Sequence, residues 1–255
     1  MTTIDLNCDL GEEIMLNGLP VEPMIMPWIS SANIACGRHA GNEDTIKQTI
    51  SLAMEHNVAI GAHPSYDDRK GFGRKYIPMP AKELKELIGE QLHNFMAIAV
   101  NMGAKVHHLK PHGALYNAAS VQQEIADVIT EVLKETAPHL KLYAPPTSIM
   151  AATARKAGLT VIGEAFADRA YNEDGTLVER TREGAVISDI KQMVKRCILL
   201  ARHQQVKTIS GNLIKLQAGT ICVHGDNPQA LEFLKSLHQV LNKENINLAP
   251  PSKIP

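Results

Sequence analysis

The side chains able to do acid–base or ion-binding chemistry in this 255-residue chain collect where short apolar runs stop. Asn7, Asp9 and Glu12 lie in NCDLGE, Asn33 and His39 in SANIACGRHAG, His63 in GAHP, and Lys110 and His112 in HHLKPHG. Glu164, Asp168 and Arg169 follow in GEAFADRAY, and His224 and Asp226 in CVHGD. A carboxylate beside an imidazole moves protons near neutral pH, so Asp9 is the candidate general base and His112 or His39 the proton shuttle. Lys110 and Arg169 are the basic residues at such ends and suit a phosphate or a carboxylate. Arg74 of GFGRK joins Asn7, Asn33, His63, Glu164, Asp168, Arg169, His224 and Asp226 as the expected substrate- or phosphate-binding set. Asn227-Pro228 begins a helical pattern just after Asp226, and the free N–H groups of a helix start can hold an anion.

Each residue also has a plainer reading. A single histidine at a strand end is more often a hydrogen-bonding post than a catalyst. His56, His93, His139, His203 and His238 sit in or beside helical patterns, where a surface or boundary role is expected. The coincidence of six such ends is what points to a site. Residues two apart on a strand project from one face, and Asn7/Asp9, Lys110/His112, Glu164/Asp168 and His224/Asp226 each share parity. His107 is out of register with Lys110 and is expected to face the helix layer. Spacing assigns no metal site, although Asp9, His39 and His63 could offer oxygen and nitrogen ligands to a divalent ion.

These ends converge only if the apolar runs are parallel strands of a closed barrel, which places its site at the strands' C-terminal rim. Strands are expected at Thr3–Cys8, Ser31–Cys36, Val58–Ala62, Val106–Lys110, Leu140–Ala144, Thr160–Phe166 and Thr220–His224, one short of the usual eight. Helical stripes alternate with them: Ile46, Ile50, Ala53 and Met54 behind an Asn42 cap, Leu84 to Phe95 after Pro80, Ile187 to Ala201, and Leu231 to Leu241. No composition shift marks a linker, so residues 1–255 read as one domain with a loose tail from 248. The long loops Pro64–Pro80 and Asp168–Gly184 are expected to act as lids, the second turning tightly at Asp174-Gly175.

Composition narrows the partners. A net charge of -1 without basic runs leaves no footprint for nucleic acid or an anionic membrane. The acidic N-terminus lacks a signal-like basic and apolar segment, and no run is long enough to span a bilayer, so a soluble cytoplasmic protein is expected. Four cysteines without C-x-x-C spacing read as free thiols. G-x-x-x-x-G-K-[ST], G-x-S-x-G and a dinucleotide-type glycine motif are all missing.

Taken together, DLNCDLGEE, SANIACGRHAGN, GAHPSYDDRKGFGRK, KPHGALYN, EAFADRAYNEDGTLVER and CVHGDNPQAL resemble the successive signature blocks of the LamB/YcsF family, the A subunits of bacterial 5-oxoprolinase. The resemblance implies an irregular seven-stranded, TIM-like (β/α) barrel similar to the glycoside hydrolase/deacetylase superfamily. It also implies ATP-dependent hydrolytic opening of 5-oxoproline to L-glutamate, with Mg2+ accompanying the ATP, no tightly bound cofactor, and subunits B and C as partners. Arg38 stands where the family usually has an aromatic residue, and beside His39 it is expected to alter affinity for an anionic substrate. Asn42-Glu43 and Lys75 depart from the usual Asp-Pro and Arg. Two other functions suit the same barrel: a metal-dependent carbohydrate deacetylase or glycosidase using Asp9, His39 and His63, and a non-catalytic ligand-binding subunit.

Overall fold

Strands buried on both faces need near-continuous apolar runs, and the seven runs found in the sequence are such strands. The computed structural model describes residues 2–16, 18–225 and 229–251. Its barrel strands are β1 (Thr2–Leu10), β2 (Ser31–Ala35), β3 (Ala59–His63), β4 (Val106–Leu109), β5 (Lys141–Ala144), β6 (Val161–Phe166) and β7 (Thr220–Val223). Neighbours pair in parallel from β1 to β7. The ring closes where Asp5–Cys8 of β1 aligns with Thr220–Val223 of β7.

The tail departs from expectation. Ile246–Leu248 forms a further parallel strand, β8, along Thr2–Ile4 of β1. The Pro251 carbonyl then accepts hydrogen bonds from Lys141 and from His107. Leu248 to Pro251 is therefore tied to the barrel, because β1 leaves an unpaired edge below its contact with β7. His107 meets this tail rather than a helix.

The helices surround the ring. Asn42 caps α1 (Glu43–Glu55) by accepting the Thr45 N–H at 3.1 Å; Ile46, Ile50 and Ala53 are buried, but Met54 is exposed. Pro80 precedes α2 (Ala81–Asn101), which buries Leu84, Ile88, Leu92 and Phe95. Then come α3 (Gly113–Val121), α4 (Gln123–Thr136) and α5 (Ile149–Lys156). An Asp189 cap starts α6 (Ile190–His203), so Ile187 precedes the helix, and α7 (Ala230–Lys243) buries Leu234, Leu237 and Leu241. Asp226, Asn227 and Pro228 lie outside the described residues, so the expected anion site at that helix start does too. Among the described residues, no helix is long and apolar enough to cross a membrane.

The interior is polar at two levels. Near the N-terminal end, Asp5 accepts four hydroxyl hydrogen bonds, from Ser30 at 2.6 Å, Ser31 at 2.8 Å, Tyr143 at 3.0 Å and Thr220 at 2.6 Å. One layer up, His108 stacks on Tyr143 with ring centroids 4.0 Å apart and meets Asn33 Oδ1 through Nε2 at 2.7 Å. Gly61 on β3 makes this possible, since a Cβ there would land on the His108 ring.

Both long loops fold onto the C-terminal rim. The Pro64–Pro80 segment is fixed by the His112 N–H to Pro64 O at 2.8 Å and the Ala114 N–H to Gly73 O at 2.9 Å. Gly73 has φ +63°, and a Cβ on it would come within 2.8 Å of the His112 ring and 2.9 Å of His39 Cβ. The second loop turns at Asp174-Gly175 as expected, with the Asn172 N–H to Thr176 O at 2.8 Å and bridges Tyr171–Leu177 and Arg169–Val186.

Candidate active site

The floor of the rim is an ionic cluster on β1, β4, β6 and β7. Lys110 Nζ lies 2.9 Å from Asp9 Oδ1, 2.9 Å from Glu164 Oε1, 3.2 Å from Asn7 Oδ1 and 3.1 Å from Cys222 Sγ. Four partners surround three N–H bonds, so Lys110 is a fixed positive post whose donors are already committed. Burial pushes its pKa down, yet Asp9, Cys222 and Glu164 hold it well above the ordinary lysine value. Asn7 and Asn33 complete the floor: Asn33 Nδ2 donates to Asn7 Oδ1 at 2.7 Å and Asp9 Oδ1 at 2.8 Å, and Asn7 Nδ2 donates to Glu164 Oε1 at 3.0 Å.

Asp9 is the member that reaches the cavity. Burial raises its pKa, but His63 and Lys110 outweigh burial and hold the carboxyl well below the usual range. Its Oδ2 lies 3.4 Å from His63 Nε2. His39, His63 and His112 form a compact group beside it, with the His39 and His112 rings stacked 3.8 Å apart and Glu12 Oε1 3.1 Å from His39 Nε2. Desolvation and the neighbouring His63 lower His39 to about 3 and His112 to about 2. Both rings are therefore neutral near pH 7, and neutrality at such low values suits an electron-pair donor better than the proton shuttle expected from sequence.

Above this floor opens a cavity of about 410 Å³, within the range of roughly 300–1,000 Å³ typical of ligand sites. Asp9, His63, Lys110, His112, Arg74, Arg169 and His224 border it. His224 Nδ1 bonds Asp168 Oδ2 at 2.8 Å; burial lowers its pKa, and Asp168 more than offsets this, leaving it raised. Burial likewise pushes Asp168 up, and His224 brings it below the ordinary aspartate value. Arg169 donates to Val178 O at 2.7 Å, and its Nε is buried without a hydrogen-bond partner. Burial and the nearby Arg180 both depress its pKa. The loops thus bring Arg74, Arg169 and Arg180 to the cavity lining.

Several sequence expectations change in role. Asn7, Asn33 and Glu164 lie buried within the floor, with 0%, 0% and 1% exposure, where they bond Lys110 or Asp9 and do not border the cavity. Lys110 borders the cavity, but its N–H groups are committed to Asp9, Glu164, Asn7 and Cys222. Asp168 does not border the cavity and is bonded to His224, which does. The metal reading built on Asp9, His39 and His63 is also redrawn, because Glu12, not Asp9, stands with the three histidines. Residues given no role from sequence include Glu12, Phe72, Tyr116, Arg180 and, in the layer below, Asp5 and His108. Parity alone pointed to two of them, since Asp5 aligns with Asn7 and Asp9, and His108 with Lys110.

Comparison with known proteins decides the family. The LamB/YcsF family model matches residues 4–255. The chain belongs to the LamB/YcsF family. Among its relatives, the 5-oxoprolinase A subunit of Bacillus cereus (strain AH187) is 41% identical over 252 residues, 98% of this chain and 100% of that protein. The corresponding 5-oxoprolinase chain of Pyrococcus abyssi is 42% identical, covering 97% of each. The crystal structure of a lactam utilization protein from Thermus thermophilus superimposes with a TM-score of 0.91 at 34% identity, over 97% of this chain and 99% of that one. The LamB/YcsF barrel is thus the fold over 97% of this chain. Arg38, which departs from the family pattern, pairs with Asp67 at 3.0 Å and Glu90 at 2.9 Å on the outer surface. It turns away from the cavity, so the expected effect on an anionic substrate has no basis in the geometry.

Proposed function

We propose that this chain is the A subunit of a 5-oxoprolinase, a hydrolase that opens 5-oxoproline to L-glutamate with ATP, working with subunits B and C. The observation that carries this reading is the full-length identity of 41% to a 5-oxoprolinase A subunit. The cavity fits it in charge and size. 5-Oxoproline carries one carboxylate, and the guanidiniums of Arg169 and Arg180 border the cavity to receive it. The same guanidiniums, with Arg74, suit the phosphates of ATP, whose Mg2+ is held partly by those phosphates. A cytoplasmic setting accords with the free cysteines Cys8, Cys36, Cys197 and Cys222.

A five-membered lactam is a resonance-stabilised amide; transfer of the terminal phosphoryl group of ATP to its carbonyl oxygen gives ADP and an imidate phosphate, addition of one water then breaks the C–N bond to leave the acyl phosphate of glutamate, and a second water releases phosphate and L-glutamate. The protein then has to orient the ring, take a proton from water and give one to the ring nitrogen. Asp9 is the acceptor: Lys110 and Asn33 fix its Oδ1, which leaves Oδ2 toward His63 and the cavity. His224, whose protonated form the neighbouring Asp168 favours and which borders the cavity, is the donor to the departing nitrogen. The deciding assay is 5-oxoproline-dependent ATP hydrolysis by this chain with and without its partner subunits, using Asp9→Asn as control. Turnover only in the mixture, reduced on the order of 10²-fold or more in the variant, is the expected result. Unchanged turnover in Asp9→Asn removes Asp9 from the reaction.

A further inference from the structure

Three histidines at the cavity floor have outer nitrogens that are all committed. His63 Nδ1 donates to Lys110 O at 2.6 Å, and His112 Nε2 donates to Phe72 O at 2.9 Å. His39 Nδ1 donates to Ser65 Oγ at 2.9 Å, because that hydroxyl already donates to Tyr66 O at 2.8 Å. Carbonyl oxygens only accept, so the outer nitrogen of each ring carries a proton and the inner nitrogen is the one placed to offer a lone pair.

The inward atoms converge. His63 Nε2 and His112 Nδ1 lie 2.9 Å apart, and Glu12 Oε1 lies 3.1 Å from His39 Nε2 and 3.4 Å from His112 Nδ1. All four ligand atoms fall within 4.8 Å of one another, and all four residues are buried. Four electron-pair donors turned toward one point in a dry pocket repel one another unless a cation joins them.

We propose that Glu12, His39, His63 and His112 bind a divalent first-row transition ion of the zinc class. Three imidazoles and one carboxylate suit such an ion, whereas Mg2+ and Ca2+ prefer oxygen ligands. Outer hydrogen bonds from metal-bound histidines to carbonyls and hydroxyls are the usual means of fixing ring orientation and tautomer. The ligands come from the ends of four neighbouring strands, β1 to β4, so barrel closure itself assembles the site. Glu12, His63 and His112 border the cavity, which leaves the ion a side open to a bound ligand. There it is a Lewis acid for a carbonyl oxygen or water. This assignment stands whether or not the substrate is 5-oxoproline.

The test uses the full chain, stripped with a chelator and titrated with CoCl2 alone. Saturable uptake of about one equivalent, with the visible absorption bands of a four- or five-coordinate site and displacement by ZnCl2, is expected. MgCl2 at the same concentration should neither bind nor displace. Glu12→Gln and His112→Gln should each weaken Co2+ binding by roughly tenfold or more while the metal-free far-UV circular dichroism matches wild type. If His112→Gln does not fold, Glu12→Gln and Ser65→Ala, which removes an outer hydrogen bond, carry the test with the same expected weakening. Absence of saturable Co2+ binding to the wild type, or binding unaltered in the folded variants, overturns the proposal.

Discussion

Asp5 and Asp9 project from the same side of one strand, yet they titrate in opposite directions. Asp5 sits among four hydroxyl donors, and burial still raises its pKa despite the bonds from Ser30, Thr220, Ser31 and Tyr143. Asp9 is also penalised by burial, but His63 and Lys110 reverse the sign. Hydroxyls can seat a carboxylate; a charge is needed to keep it ionised. The lower layer of the barrel is therefore a sealed polar plug, while the upper layer retains charge where the cavity begins.

The largest effect belongs to the charge that separates the two layers. Lys110→Met leaves Asp9 and Glu164 buried without their cation and should cost about 3–5 kcal/mol in urea denaturation. It should also abolish turnover with the partner subunits. Retained stability would mean that Lys110 does not hold the upper layer together. Gly73→Ala comes next, because only the upper layer depends on a covering loop. The positive φ and the close approach to His112 and His39 predict a loss of about 1–3 kcal/mol by thermal melting. A neutral result would detach the loop from the site.

Asp5→Asn should be milder, within about 1 kcal/mol at neutral pH, since the hydroxyls can reorient around an amide. The pH dependence carries the sign. Because folding raises the Asp5 pKa, its contribution is full below 3.8 and is lost as pH rises through the folded value. Denaturation curves from pH 4 upward should show this decline in the wild type and not in the variant.

The smallest effect is at the mouth. Folding raises His224, so its pairing stabilises fully below pH 6.5 and fades as pH rises through the folded value. Asp168, lowered by folding, contributes above pH 3.8 and loses its contribution as pH falls through its own folded value. Asp168→Asn should lower the His224 pKa in imidazole NMR titrations and shift the alkaline limb of the rate profile downward. No change in either would separate the mouth from the chemistry.

Most of the scaffold was legible in the sequence. All seven barrel strands lie within two residues of their expected bounds, since short apolar or β-branched runs between helical patterns mark them. β8 escaped because three residues near a proline-rich end carry no such pattern. The site was legible as a set of strand ends but not as a division of labour. Asn7 and Glu164 have the right parity and, like Asn33, still lie outside the cavity lining, because depth along a strand is not encoded by alternation. Glu12 was visible beside Asp9, yet its place with the histidines depends on the turn after β1, where Gly11 has φ +70°. The guanidinium wall comes from loop docking, which periodicity does not address.

β1 is made first and completed last. Asp5 accepts the hydroxyl of Thr220 across 215 residues of chain, and β8 joins the same strand after that. Closing so long a loop is slow, and a nascent chain emerging from the ribosome must hold an open, partly polar curl of six strands until β7 arrives. A polypeptide cut short of that strand would leave water beside Asp9 and a bare edge for other chains to join, so incomplete synthesis yields an aggregation-prone remnant rather than a weaker catalyst.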